Sequence, residues 1–181
     1  MPRKSREDWL RAGLRCLARE GVDGVRVEPL AKRLGVTKGS FYWHFADRAE
    51  LLDALLEEWA ETATAAVIAQ AEAAGDAARA RLERLTAIAA EGFNAELELA
   101  LHDWARREPA VAAAVDGVNA RRMDYLRKLL REAGFDPAQT EARAFLLYSA
   151  LLGDRLLPHA HGRFSRKRVL RTALDLLTAR P

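Results

Sequence analysis

The sequence contains few of the residues that build secreted, β-rich or membrane-spanning proteins. Cys16 is the only cysteine, which excludes an internal disulfide and fits a reducing compartment such as the cytoplasm. Val and Ile are sparse, and few segments alternate apolar and polar residues, so a β-rich fold is not expected. The longest uncharged runs, 62–71 and 144–153, have ten residues, whereas a membrane span needs about 20. The N-terminus carries charges and no apolar core, so no secretory signal is expected either.

The residues that are abundant favour a helical protein. Half of the residues are hydrophobic and 30% are charged, and the commonest types, Ala, Leu, Arg and Glu, are good helix formers. We therefore expect an all-α fold of about nine helices, with a three-helix head in residues 1–48 and a helical bundle in residues 49–181. Apolar spacing, caps and glycine stops predict the helices at about 6–20, 27–34, 38–45, 48–73, 77–90, 95–107, 109–133, 137–153 and 165–179.

Two short helices that meet at Gly35 form the centre of this head. Gly35 can take the left-handed backbone that ends a helix, and Thr37 can cap the next helix by accepting a backbone N–H. Phe41 and Phe45, four residues apart, share one face, while the other faces carry hydroxyls and cations. A tight glycine turn before a helix with a polar and basic outer side predicts a helix-turn-helix for the DNA major groove.

The positive charge is concentrated in the head. Residues 1–48 hold 11 Lys and Arg against 6 Asp and Glu, a net of +5. Residues 49–181 hold 18 against 20, a net of −2, so the whole chain is only +3. This distribution predicts a polyanion as the partner of the head.

The head resembles the DNA-binding segment of TetR-family transcriptional regulators over about 48 residues. The motifs that carry the resemblance are Leu34-Gly35-Val36-Thr37-Lys38-Gly39-Ser40, Phe41-Tyr42-Trp43-His44-Phe45, and Arg48 with Leu51-Leu52. The remainder of the chain fits the family only in its number of helices. The resemblance implies a homodimer whose two heads read a palindromic double-stranded DNA operator, with no enzymatic activity and no membrane partner.

The resemblance also implies which residues meet the DNA. Lys38 and Tyr42 match positions of the third helix that face the duplex, and His44 matches a position that contacts the DNA backbone. Arg48 stands where the family usually has Lys. Arg26 replaces the usual Thr, so a guanidinium instead of a hydroxyl would reach the phosphate.

Elementary chemistry gives reasons for these residue types at the start of the third helix. The backbone N–H groups of Thr37, Lys38, Gly39 and Ser40 can point at a phosphate, and Gly39 lets the backbone come close. Lys38 and Arg48 would neutralise phosphates and make binding sensitive to salt. The candidates for contacts to base edges or thymine methyl groups are Ser40, Tyr42 and Trp43.

The body offers candidates for an effector site. A ligand pocket is usually apolar with a few polar groups, so we expect a small apolar or aromatic molecule that releases a repressor from its operator. The same side chains could simply fill the core of a helical bundle. The candidate ligand contacts are Trp59, Phe93, Trp104, Met123, Tyr125 and Tyr148.

The last two helices, about 137–153 and 165–179, are expected to form the dimer interface. Small and apolar residues on both could build a four-helix contact with the second copy. The candidates are Ala144, Leu147, Ala150, Leu151, Leu170 and Leu174.

Two other functional classes stay open. The protein could be a DNA-binding regulator that works without an effector, or an enzyme on a helical bundle. The sequence disfavours the enzyme because it has no nucleophile motif and no glycine loop that would cradle a phosphate. His159 and His161 lack further ligands at a suitable spacing, so neither a metal site nor a cofactor is expected.

Overall fold

The structure is a computed structural model that describes residues 4–92, 94–156 and 162–179. Over these residues the chain forms nine helices and no strand, which confirms the predicted all-α class. None of the helices in the described ranges is long and apolar enough to cross a membrane. The helices are α1 (Arg6–Gly24), α2 (Val27–Leu34), α3 (Lys38–Phe41), α4 (Arg48–Ala60, a π-helical turn at Glu61–Ala65, then Ala66–Glu72), α5 (Ala78–Gly92), α6 (Ala95–Ala105), α7 (Pro109–Glu132), α8 (Pro137–Leu156) and α9 (Arg166–Thr178).

Side-chain caps that the sequence predicts set the starts of α1, α4 and α9. Ser5 and Asp8 form a reciprocal capping box on α1. The side chains of Asp47 and Ser165 accept the backbone N–H three residues on, at the starts of α4 and α9. Gly35 ends α2 in the left-handed conformation, with φ of 70°, as the sequence indicates.

The regular part of α1 ends at Gly21, as predicted, because Gly21 has non-helical angles (φ 68°, ψ −178°), and a short turn up to Gly24 follows this kink. Two local predictions were wrong. The α3 helix ends at Phe41 instead of Phe45, because the N–H groups of His44 and Phe45 both donate to the Phe41 carbonyl and close a turn. The Thr37 side chain makes no capping hydrogen bond to any described residue.

The chain divides into two compact units that are not the two halves expected from function. The first unit comprises residues 1–62 and 95–117, so it joins the head to the first part of α4, to α6 and to the start of α7. In it, α1 packs against α2, α4 and α6. The functional boundary at residue 48 stays a prediction. The largest fully buried side chains of this unit are Trp9, Leu17, Leu30, Phe41, Phe45, Leu51, Leu55, Trp59 and Leu101.

The second unit comprises residues 63–94 and 118–181. Within its described residues, α5 packs on the end of α4 and on α9, and α8 packs on α5 and α9. The core of this unit is one cluster of buried side chains from α4, α5, α7, α8 and α9 and from the loop before α8. Its members are Ala71, Leu82, Leu85, Tyr125, Leu126, Leu129, Leu130, Phe135, Ala144, Leu147 and Leu174.

Candidate nucleic-acid interface

The interface rests on a cluster of aromatic rings beneath α3. Phe41 is fully buried, with its ring centroid 5.3 Å from both the Trp9 ring, edge to face, and the Phe45 ring, stacked. The Arg6 guanidinium lies 5.2 Å from the centroid of the Phe45 ring. A helix of four residues is not stable alone in water, so this packing is what holds α3 in position, as the sequence predicts.

The outer side of α3 presents the residues that the sequence predicts to meet DNA. Tyr42 is 54% exposed and Trp43 is 75% exposed. Thr37, Lys38 and Gly39 are exposed, and Ser40 is half-buried beside them. We call the outer side of residues 37–43 the α3 surface. Large aromatic side chains beside a cation on an open surface are typical of a binding site.

Gly39 has no side chain to cover this surface, and the packing of the protein would allow a larger residue at this position. A Cβ atom built on Gly39 would have Thr37 Oγ1, at 3.7 Å, as its nearest neighbour, which is ordinary van der Waals contact. The glycine therefore fits the prediction that a ligand backbone approaches closely at this point.

Lys38 is paired in the free protein. Its Nζ atom lies 2.9 Å from Oε1 of Glu28, which belongs to the first turn of α2. The hydrogen bond and the charge of Lys38 lower the pKa of Glu28, and those of Glu28 raise the pKa of Lys38. Both groups are consequently charged at neutral pH, and both are exposed to solvent.

The three remaining candidates differ in their surroundings. His44 is half-buried, and its Nε2 donates to the Lys4 carbonyl at 2.9 Å. Arg48 donates Nε to the Val25 carbonyl and Nη2 to the Val22 carbonyl, both at 2.6 Å, so it joins the start of α4 to the end of α1. Arg26 is exposed at the N-terminus of α2 and makes no side-chain cap there among the described residues.

Two of the predicted ligand contacts lie in the first unit. Trp59 is buried and donates Nε1 to Glu98 Oε1 at 3.1 Å. Trp104 lines a groove of about 530 Å³ within this unit. The groove is bordered by α1, α4, α6 and α7, with apolar and charged lining from Leu52, Leu56, Val111, Arg48, Asp53 and Arg107.

The other described candidates lie in the second unit. Tyr125 belongs to its core, where burial and then the charge of Glu72 raise the pKa of Tyr125 to about 12, so it is neutral at physiological pH. Met123 and Tyr148 are half-buried against that core. Phe93 lies outside the described residues, as do His159 and His161.

A polar network beside Tyr148 was not predicted from the sequence. The Tyr148 hydroxyl donates to Asn119 Oδ1 at 2.7 Å. Arg122 donates to the Tyr148 hydroxyl and to Thr64 Oγ1 and the Ala63 carbonyl at 3.3–3.5 Å. Thr64 is 1% exposed, in the π-helical turn of α4. The only signal in the sequence is that Arg122 stands in the apolar stripe of α7.

The predicted dimer residues fall into two groups. Ala144, Leu147 and Leu174 are buried in the core of the second unit, so the single chain leaves little of their side chains exposed to a second copy, and their place in an interface stays a prediction. Ala150, Leu151 and Leu170 are half-buried. Among the described side chains of α8 and α9, the large apolar ones that are exposed are Phe145, Leu146 and Leu176.

Comparisons with known sequences agree with the geometry of the head. Residues 10–55 match the family of bacterial regulatory proteins described as the tetR family. The class A tetracycline repressor protein from transposon 1721 of Escherichia coli is 50% identical over 48 residues, which are 26% of this chain and 22% of the repressor. The chain spans 22–28% of the length of the curated relatives it matches first, so this likeness concerns the head.

Comparisons with solved structures extend the likeness to the whole fold. A transcriptional regulator from Rhodococcus sp. Rha1 is 25% identical with a TM-score of 0.73, covering 97% of this chain and 94% of its own. AibR, solved in complex with isovaleryl coenzyme A and operator DNA, is 17% identical with a TM-score of 0.68, covering 96% of this chain and 97% of its own. At that identity AibR supports the fold alone.

Proposed function

We propose that the chain, whose residues 10–55 match the tetR family of bacterial regulatory proteins, is a ligand-responsive repressor of that family that binds a palindromic operator as a homodimer. The observation that carries the proposal is the α3 surface, where Lys38, Tyr42 and Trp43 are exposed above the buried ring of Phe41. The protein acts in the cytoplasm, where its operator is, and has no enzymatic role.

Each part of the α3 surface has a task at the duplex. Lys38 neutralises a phosphate, while Gly39 lets the duplex approach the backbone. Tyr42 and Trp43 reach base edges or thymine methyl groups in the major groove. His44, Arg26 and Arg48 are proposed to contact phosphates of the DNA backbone. In the dimer, the two α3 helices lie about 34–36 Å apart, or further by whole helical turns, so that they enter successive major grooves.

The direct test is to recover the operator from a random pool. The purified full chain is incubated with random-sequence duplexes of about 30 base pairs, bound DNA is amplified over several rounds, and the enriched sequence is tested in a mobility-shift assay. We expect an inverted repeat whose affinity exceeds that of mixed-sequence DNA by at least about 1,000-fold at physiological salt. A pool that enriches no sequence would contradict the proposal.

The dimer is proposed to form through the exposed apolar residues of α8 and α9. Phe145 and Leu146 on α8, and Leu176 on α9, are 48–72% exposed in the single chain. Two helices packed against each other, with apolar side chains on their open sides, suit a four-helix contact with a second copy. Leu151 and Leu170, which are half-buried, contribute at the edge of that contact.

Leu146→Glu is expected to convert the dimer into a monomer, because a charge in the apolar contact would lose its hydration without a partner. Sedimentation or light scattering would then give the 20.1 kDa of one chain, and operator binding would weaken because the two heads are no longer joined. Ala138→Glu, an exposed position on the same helix, adds the same charge and should remain dimeric. An unchanged mass for Leu146→Glu would place the interface elsewhere.

The effector is proposed to bind in the second unit, beside Met123 and Tyr148. The network of Arg122, Asn119, Thr64 and Tyr148 supplies a few polar groups next to an apolar core, the usual make-up of a ligand site. AibR, which shares the fold, was solved with both a small molecule and operator DNA. Release follows if the effector prefers a state of the protein in which the heads do not fit the operator.

Tyr148→Phe is expected to weaken effector binding by about 5- to 10-fold, because it removes one hydrogen bond from the site. The effector is first identified by mass spectrometry of small molecules that co-purify with the chain. The concentration of that molecule needed to release labelled operator is then measured for both proteins, with operator affinity in its absence as the control. A co-purified molecule that leaves operator affinity unchanged would favour a regulator without an effector.

A further inference from the structure

A carboxylate of α2 lies next to the α3 surface, at Lys38. Glu28 is placed by the first turn of α2, and its Oε1 is 2.9 Å from Nζ of Lys38 at the start of α3. The side chains of Glu28 and Lys38 are 73% and 51% exposed to solvent. The pair is therefore open to an incoming duplex, and Glu28 belongs to the same patch as Lys38.

The pair opposes a phosphate contact in two ways. While Lys38 donates to Glu28, its charge is largely compensated, so it attracts a phosphate less strongly. If a phosphate takes over Lys38, the carboxylate is left within a few ångströms of another anion. This separation is well inside the screening length of about 8 Å at physiological salt, so the repulsion is not screened out.

A base edge can offset the repulsion between Glu28 and a phosphate by giving the carboxylate a hydrogen-bond donor, whereas a phosphate has no donor to give. A carboxylate accepts hydrogen bonds only. The donors in the major groove are the amino groups of cytosine and adenine, and cytosine suits Asp and Glu because adenine has the acceptor N7 beside its amino group. A duplex that presents cytosine opposite Glu28 would give the carboxylate a new partner when Lys38 turns to a phosphate. DNA without that cytosine would leave Glu28 without a partner.

We infer that Glu28 is a specificity-determining residue: it holds Lys38 in the free protein, disfavours DNA that offers only phosphates, and accepts a hydrogen bond from a cytosine amino group of the operator. This inference rests on the proposed function. It assigns the carboxylate a role in rejecting non-operator DNA, in addition to the attraction supplied by the basic residues of the head.

The test is the isosteric change Glu28→Gln, which removes the charge and keeps the size. Dissociation constants are measured by fluorescence anisotropy for the selected operator and for a mixed-sequence duplex of equal length, at several salt concentrations. For the mixed-sequence duplex we expect about 3- to 10-fold tighter binding, and a salt slope steeper by about 0.9 for each head that binds, because one more phosphate contact forms at each head. Operator affinity should stay the same or fall by up to about 3-fold, because the charge that favours the cytosine contact is lost, so the ratio of operator to mixed-sequence affinity should fall by about 10-fold.

The control is Glu20→Gln, which removes another exposed carboxylate from the head. Glu20 pairs with Arg33 instead of Lys38, so this variant reports the effect of head charge in general. Equal changes in Glu20→Gln and Glu28→Gln, or an unchanged affinity ratio and salt slope in Glu28→Gln, would overturn the inference.

A substitution in the operator tests the base contact. Each conserved cytosine of the selected operator is replaced in turn by 5-methylcytosine, which keeps the amino group, and by thymine, which has a carbonyl oxygen in its place. At one cytosine per half-site, we expect thymine, but not 5-methylcytosine, to weaken operator binding by the wild-type protein at least about 5-fold. The same replacement should weaken operator binding by Glu28→Gln less. If no cytosine behaves so while the operator is bound, the inference fails and the proposed function stands; if no operator can be selected, the proposed function itself fails.

Discussion

Tyr42→Ala and Lys38→Ala are each expected to abolish the operator complex in a mobility-shift assay while leaving the protein folded. Both side chains are exposed on the α3 surface. Lys38 pairs with a carboxylate of α2, and Tyr42 packs against Phe41 from the exposed side, with 5.3 Å between the ring centroids. Their loss therefore leaves the buried rings of Trp9, Phe41 and Phe45 in place and removes side chains that the duplex would contact. A contact to a base edge is worth about 1–3 kcal/mol, and it is lost twice in a symmetric dimer, once in each half-site.

The two substitutions should differ in how salt affects operator binding. Lys38→Ala removes a phosphate contact from the operator complex, so it should lower the salt slope for the operator by about 0.9 for each head. Tyr42→Ala removes a base contact, so it should weaken binding to the operator far more than binding to mixed-sequence DNA. Anisotropy titrations with both duplexes at several salt concentrations separate these effects.

Two measurements make this experiment decisive. The thermal unfolding temperature and the dimer mass of each variant should match those of the wild type, which shows that the loss lies in the contact and not in the fold. Lys167→Ala, an exposed change on α9 in the second unit, removes the same charge and should bind the operator normally. Undiminished binding by both Tyr42→Ala and Lys38→Ala would mean that the α3 surface is not the site.

The α3 surface could be predicted from the sequence because its pattern is local. A glycine turn, two aromatic residues four apart, and polar residues between them fix which side of a short helix faces inward. The same reasoning predicted α3 one turn too long, since periodicity does not show that the carbonyl of Phe41 accepts two N–H groups and closes a turn. It identified Arg48 as a cation but could not indicate the carbonyls of Val22 and Val25 as its partners.

The effector and dimer residues were harder to predict, because they depend on contacts between distant parts of the chain. Trp59 and Trp104 were grouped with the body, yet α6 packs against α1, about 90 residues earlier, and both belong to the unit that contains the head. On α8, Ala144 and Leu147 lie in the core, whereas the neighbouring Phe145 and Leu146 are exposed. An apolar stripe looks the same in the sequence whether its helix packs on its own chain or on a second copy.

Phe41→Ala is expected to destabilise the first unit by about 3–5 kcal/mol, the usual cost of removing a fully buried phenyl ring. Phe41 has no exposed surface, and its ring contacts those of Trp9, Tyr42 and Phe45 at 5.3 Å between centroids. The cavity would lie directly beneath α3, a helix too short to keep its shape without that support. Operator binding should therefore be lost together with stability, unlike in Tyr42→Ala.

The tryptophans make this prediction measurable in the full chain. All four of them, Trp9, Trp43, Trp59 and Trp104, belong to the first unit, so their fluorescence during denaturant unfolding reports that unit, while circular dichroism follows the helices of both. We expect Phe41→Ala to shift the fluorescence transition to lower denaturant by more than the circular dichroism transition. Phe41→Leu, which keeps most of the apolar volume, should cost under about 1.5 kcal/mol and retain operator binding. If Phe41→Ala unfolds at the same denaturant concentration as the wild type and still binds the operator, then contacts other than this ring cluster position α3.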